Sequence, residues 1–213
     1  MKKIIAILCI AVLAFSMAAC GQQGAKPEAA VKDFCAALKT FDVEGMQKYV
    51  AEDISEDEAL YAFDDSDEEM KALVDAVKGW ASKISYTVAK TNVDGDTASV
   101  TVDFTYSDAS EIIGAIVTDY FDKLFSFEFA DASDEEAQAL FDTIINERTS
   151  SMEPKEAKAT IDFECVKQDN VWLIKSIPEG LENIVSSNAT TAFEDALGLM
   201  FENIDFGEFE MEE

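Results

Sequence analysis

Between residues 84 and 106 the chain alternates apolar and polar side chains with a period of two, which constrains the fold more than any other feature. Ile84, Tyr86 and Val88 interleave with Ser85, Thr87 and Ala89. Ala98, Val100, Val102, Phe104 and Tyr106 interleave with Ser99, Thr101, Asp103 and Thr105. Successive strand side chains point to opposite faces, so each run is a strand with one buried and one wet face. Asn92-Val93-Asp94-Gly95-Asp96 separates them and contains Asp-Gly, a favoured hairpin dipeptide. A second hairpin follows Pro154. Ala159, Ile161, Phe163 and Cys165 face one way and Thr160, Asp162 and Glu164 the other; Gln168-Asp169-Asn170 turns the chain. Val171 to Ile177 is apolar on both faces and is expected to be a central strand covered on both sides, ended by Pro178.

The remaining apolar residues recur at helical spacing. Pro27 opens a helix carrying Val31, Phe34, Cys35, Leu38 and Phe41 on one face, and Asp42-Val43-Glu44-Gly45 reads as a break before Met46, Tyr49 and Val50. A helix from Asp67 carries Met70, Leu73, Val74, Val77 and Trp80. Between the hairpins lie two more stripes: Ile113, Ile116, Val117, Tyr120, Phe121, Leu124 and Phe125, then Ala137, Leu140, Phe141, Ile144 and Ile145. Phe127 and Phe129 crowd their junction. A last helix holds Phe193, Ala196, Leu197, Met200, Phe201 and Ile204, and an acidic tail with Phe and Met closes the chain over 205–213. Amphipathic strands and helices of this kind cover one another in an α+β layer. The expectation is a bent antiparallel sheet of about four strands, packed on the N-terminal helix, with a helical insertion over 110–152 and a C-terminal helix.

The acids are patterned. Ser55-Glu56-Asp57-Glu58, Ser66-Asp67-Glu68-Glu69 and Ser133-Asp134-Glu135-Glu136 all fit Ser-x-x-Glu, the capping box, and Asp108-Ala109-Ser110-Glu111 is a variant. Carboxylates in a first turn complement the exposed N–H groups there. That reading is preferred to a calcium loop at Asp64–Glu69, where the glycine of the hand-type motif is missing.

Lys2 and Lys3, an apolar run from Ile4 to Phe15, and Ser16-Met17-Ala18-Ala19-Cys20 have the layout of a secretory signal. The cysteine after the small pair resembles the lipobox of bacterial lipoproteins. The resemblance implies cleavage after residue 19, a diacylglycerol on Cys20, a tether over 20–26 and a domain over 27–204. The apolar run is short for a bilayer span, which takes about 20 residues. The chain would be extracytoplasmic and lipid-anchored to the cell membrane, an outer membrane being the other option.

Charge and composition narrow the function. The formal charge is −28, and losing Lys2 and Lys3 with the signal makes it −30. Such a charge repels nucleic acid, so no nucleic-acid partner is expected. The chain has no histidine, which removes imidazole bases, Ser-His-Asp and Cys-His nucleophiles and most zinc sites. No metal or cofactor is expected. Cys35 and Cys165 both lie on apolar faces; they are either disulfide-bonded, as an exported protein permits, or two buried thiols.

Helices, hairpin, helical insertion, hairpin and terminal helix resemble the nuclear-transport-factor-2-like superfamily. The Pro-initiated helix Pro27-Glu28-Ala29-Ala30-Val31-Lys32-Asp33-Phe34 and the Trp-containing strand Asp169-Asn170-Val171-Trp172-Leu173-Ile174 carry the likeness. It implies a sheet wrapped around the N-terminal helix, with Cys35 on the face that bears Cys165, and a candidate pocket lined by Tyr86, Phe104, Tyr106 and Phe163. Two kinds of function follow. One is a non-catalytic module that binds a small ligand, a peptide or an envelope protein, or serves as an assembly subunit. The other is an enzyme of the ketosteroid-isomerase-like kind, which needs a carboxylate and hydrogen-bond donors inside an apolar cone. Asp103 and Asp162 alternate with the inward sets of their strands and face away from the core, which favours the module.

Overall fold

The computed structural model describes residues 26–54, 70–126 and 132–203, without the side chains of 200–203. The signal, Cys20, the tether, the Ser55 and Ser66 capping signals, Phe127, Phe129 and the tail lie outside the described residues.

Helix α1 (Pro27–Leu38) has proline in its first turn and buries Ala30, Val31, Phe34, Cys35 and Leu38 on one face. It ends in a Schellman arrangement: Phe41 N–H donates to Leu38 O and Asp42 N–H to Ala37 O, both at 3.1 Å, with Phe41 at φ +53°. The break therefore falls at Lys39–Phe41, and Asp42 instead caps α2 (Val43–Gln47), accepting from Gly45 N–H at 2.8 Å. A Cβ on Gly45 would push against the Asp42 carboxylate that makes this cap. Helix α3 (Lys71–Ala81) buries Val74, Val77, Trp80 and Ala81.

Strands β1 (Ser85–Asp94) and β2 (Thr97–Asp108) form the first hairpin; β3 (Lys155–Gln168) and β4 (Val171–Ile174) form the second. The first loop is Gly95-Asp96, with positive φ (+59°) only at Gly95, so glycine sits first in the turn and Asp94 belongs to the strand. The second is Asp169-Asn170, with φ of +50° and +67°, the doubly left-handed turn that short polar residues tolerate. Sheet order is β1-β2-β3-β4, antiparallel throughout.

The strand expected at the centre lies at the edge instead. β4 stops at Ile174, and its outer side carries one parallel bridge to Val50, with Ile174 N–H donating to Tyr49 O and Ala51 N–H to Ile174 O, both at 2.7 Å. Its apolar residues divide by position: Trp172 and Ile174 enter the core, while Leu173 is half-buried and Val171 exposed. A short strand and a covering segment are two ways to blunt a sheet edge.

Helices α4 (Ser110–Leu124) and α5 (Asp134–Ser151) form the insertion; α6 (Leu181–Val185) and α7 (Ala189–Asn203) follow β4. At α5 the capping box forms: Ser133 Oγ accepts from Glu136 N–H at 3.3 Å, and Glu136 Oε2 accepts from Ser133 N–H at 2.9 Å. That bond, with the Ser133 hydroxyl, holds the Glu136 carboxyl below its usual value. At α4 the variant works differently: Asp108 Oδ1 accepts from Ser110 N–H at 2.9 Å, and Glu111 pairs with Lys155.

This is the expected α+β architecture with a bent sheet on the N-terminal helix. Its interior is in two parts. One core lies between the sheet and α1. The other is helical, built from α3, α4, α5 and α7 around Val77, Trp80, Ile112, Ile113, Ile116, Val117 and Ile145. Phe41 packs against both. Phe125, expected in the apolar stripe of α4, is 69% exposed and stacks on Phe121.

Candidate functional site

The inward face of the sheet is closed. Tyr86, Phe104, Phe163 and Phe34 form a row of rings with centroids 6.1, 6.4 and 6.0 Å apart. Phe104 and Phe163 are 1% and 0% exposed. They are core residues, because large aromatic side chains on facing strands and helix bury one another. Tyr86 is half-buried and its hydroxyl donates to Lys32 O at 3.0 Å, binding β1 to the flank of α1. Burial first, then Cys35 and Asp33, push its phenol above the ordinary value. The Tyr106 hydroxyl accepts from Asn188 Nδ2 at 3.4 Å. Cys35 and Cys165 are unbonded buried thiols; burial raises them to about 12 and about 11.

The outward face is polar, and it is set by the register. Ser85, Thr105 and Lys158 form one cross-strand row; Thr87, Asp103 and Thr160 the next; Lys90, Thr101 and Asp162 the third; Asn92, Ser99 and Glu164 the fourth. Even-numbered residues of β1 point inward up to Val88, yet Lys90 and Asn92 belong to outward rows. A bulge at Ala89 resets the count, two residues opposing one. Alternation alone does not reveal it, since Ala89 is neutral to either face.

Hydroxyls and carboxylates interlock at the centre of this face. Thr101 Oγ1 donates to Asp162 Oδ1 at 2.5 Å and Thr160 Oγ1 to Asp103 Oδ1 at 2.7 Å. Lys175 pairs with Glu164 at 3.1 Å. Three shallow grooves include this face in their walls. The first, about 570 Å³, is lined by polar Ser85, Thr87, Asp103, Thr105, Lys158 and Thr160 together with Tyr86, Phe104 and Ala159, so two of the four residues expected at a pocket border it; the second, about 470 Å³, has Ala98, Cys165 and Val166 beside Asn92, Asp94, Thr97, Ser99, Glu164 and Lys175; the third, about 340 Å³, has Ile161, Ile177 and Pro178 beside Thr160, Asp162, Glu164, Ser176 and Glu179. Asp103 and Asp162 thus face away from the core, as expected, and outside the ring of apolar residues that a proton-abstracting carboxylate needs. What the face offers is exposed hydrogen-bond donors and acceptors. Among the described residues, no group of three or more cysteine or acidic side chains is placed to hold a metal, and no helix is long and apolar enough to cross a membrane.

A second polar cluster joins the two cores. Burial works to raise the Asp108 carboxyl. Hydrogen bonds from the Ser110 hydroxyl and backbone and from Asn188, with the Lys155 charge, outweigh that and hold it below the ordinary value.

No protein-family model matches the chain, and no curated protein matches it. Among solved structures the chain is similar to YcdA of Bacillus subtilis subsp. subtilis str. 168, described as a candidate lipoprotein. Identity is 21% over 68% of this chain, with a TM-score of 0.44. The chain matches 49% of that protein, about half its length.

Proposed function

We propose that this chain is an extracytoplasmic lipoprotein, anchored through Cys20, whose nuclear-transport-factor-2-like domain binds an envelope partner or ligand without catalysis. The outward face of the sheet is the binding surface. The single observation that carries this reading is the packing of Phe34, Phe104 and Phe163 ring to ring on the inward face, which leaves the sheet's hydrogen-bonding groups on its outward side. Binding then belongs to the grooved polar face opposite, whose paired threonines and aspartates are oriented by their own hydrogen bonds. The sequence Ser16-Met17-Ala18-Ala19-Cys20 supports the anchor. Two acyl chains hold a protein at a membrane where one is marginal, at about 0.8 kcal/mol per buried CH₂.

The anchor is tested by expressing the full chain and its Cys20→Ser variant in a bacterium fed an alkyne-labelled fatty acid. The parent is expected to carry label and sediment with membranes, and the variant to be unlabelled. An unlabelled parent in the soluble fraction would remove the lipoprotein reading.

A further inference from the structure

The two edges of the sheet are not alike. β4 is four residues long, and its outer side is bridged to Val50. β1 is ten residues long, and among the described residues no backbone group bonds to its outer side. Its first half is tied to α1 through the Tyr86 hydroxyl and ends in the bulge at Ala89. Its second half, 90–94, has neither device. Lys90, Asn92, Val93 and Asp94 are all exposed there, Val93 by 57%. An uncovered strand edge is a template for another strand.

The hairpin fixes which groups this edge offers. Asp94 and Thr97 flank a two-residue loop, where the flanking pair exchanges its backbone bonds. Along an antiparallel strand, residues bond one neighbour and the other in turn. Asp94 and Asn92 therefore direct their backbone groups to β2, and Thr91 and Val93 direct theirs to the open side. The side chains of Lys90, Asn92 and Asp94 share the outward face of the sheet. Residues 90–94 hold one lysine and one aspartate, so the stretch is neutral in a chain of formal charge −28. Among the described residues neither of the two has an oppositely charged partner.

The charge order of this segment is its own complement. Laid antiparallel to itself about Asn92, it sets Lys90 opposite Asp94 of a second copy, and Asp94 opposite Lys90 of that copy. Thr91 and Val93 then exchange backbone bonds with Val93 and Thr91 of the second copy. The charged pairs fall at the positions without backbone bonds, where facing side chains come closest. Moving the centre to Lys90 sets lysine against lysine, and moving it to Asp94 sets aspartate against aspartate. An edge lysine deters pairing in general; here it penalises the wrong alignments and favours the one about Asn92.

We propose that β1 pairs with β1 of a second copy of this chain, antiparallel and centred on Asn92, to form a two-fold dimer with one continuous sheet. The two-fold axis stands across the sheet, so the outward faces of both copies lie side by side. The pairing rests on the edge alone and does not need that face to be the binding surface.

So short a contact is at the small end for protein association, and the test is made in cells rather than in dilute extract. The full chain carrying Asn92→Cys is expressed in a bacterium, and intact cells are treated with diamide, a permeant thiol oxidant. Facing positions without backbone bonds lie within the Cα separation that a disulfide spans. Only the residue on the axis meets its own counterpart. Asn92→Cys is therefore expected to give a disulfide dimer well above the level of the parent, and Asp94→Cys at least about tenfold less. Adding Lys90→Asp to Asn92→Cys sets aspartate against aspartate on both sides of the axis and is expected to cut the dimer at least about fivefold. Adding Asp94→Lys as well restores the complement with its signs exchanged, and the dimer is expected to return. Equal yields from positions 92 and 94, no fall with Lys90→Asp, or a fall that Asp94→Lys does not reverse would overturn the pairing. Failure here leaves the outward face as it was, since the assay reads only bonds between copies.

Discussion

The ring of Phe34 on α1 meets that of Phe163 on β3 edge-on, centroids 6.0 Å apart and planes at 67°. The contact joins helix to sheet inside the first core. Truncating a buried phenylalanine loses its transfer energy and leaves a cavity, so Phe163→Ala is expected to lower stability by about 3–5 kcal/mol in urea unfolding. A variant that unfolds at the parent's midpoint would mean the space was already empty.

Cys35 and Cys165 are predicted to be unreactive while the domain is folded. Only the thiolate reacts, and burial raises the two thiols to about 12 and about 11. Iodoacetamide at about pH 8 should label both at least roughly a hundredfold more slowly in native than in denatured protein. Recovery of no label after denaturation without reductant would show a disulfide instead. The shift also makes an alkaline prediction. A thiol raised on folding contributes stability that is complete below its unfolded value of about 8.5 and is lost as pH rises toward the folded values.

Asp108 sets part of the acid limb. Its carboxyl is held low in the folded chain. Its contribution is therefore present above the unfolded value of about 3.9 and is lost as pH falls through the folded one. Asp108→Asn should flatten the decline of the urea midpoint in that window. A decline of unchanged slope would show that the bonds to Ser110 and Asn188 do not favour the anion.

The bulge at Ala89 should make β1 tolerant where β2 is not. Deleting Ala89 leaves Val88 and Lys90 opposite their present partners, so the domain is expected to stay folded with a change of about 1 kcal/mol or less. Deleting Thr101 from the unbroken β2–β3 ladder turns every following side chain to the wrong face and should cost more than about 3 kcal/mol. Thermal unfolding of the two deletions decides it; equal losses would contradict the register given for β1.

Most of this fold was legible in the sequence, and the parts that were not have a common cause. Alternation in β2 and β3 gave both faces of the sheet, and Ser133 with Glu136 marked the start of α5, because those signals are local. Alternation also placed Tyr86, Phe104 and Phe163 inward, but could not show whether the rings leave a space between them. That depends on how Phe34 of α1 fills the gap. Apolar residues on both faces of Val171–Ile177 predict a central strand, since they usually mean cover on both faces. Here Val50 and the strand's shortness supply the protection instead. The second core is not legible in the sequence, because its helices are far apart in the chain and nothing local links α4 to α7. The candidate site was half-legible: Thr101, Asp103, Thr160 and Asp162 read as outward, while their mutual bonds and the addition of Lys90 depend on register.

The central claim is that partners meet the outward face of the sheet. It is tested by placing a photo-crosslinking amino acid, one position at a time, at Thr87, Thr101 and Glu164 on that face and at Thr143 on α5, in the full-length chain within its native membrane. Irradiation is predicted to give a discrete higher-mass adduct from the three sheet positions and none from Thr143. Adducts from Thr143 alone, or from no sheet position, would contradict the account.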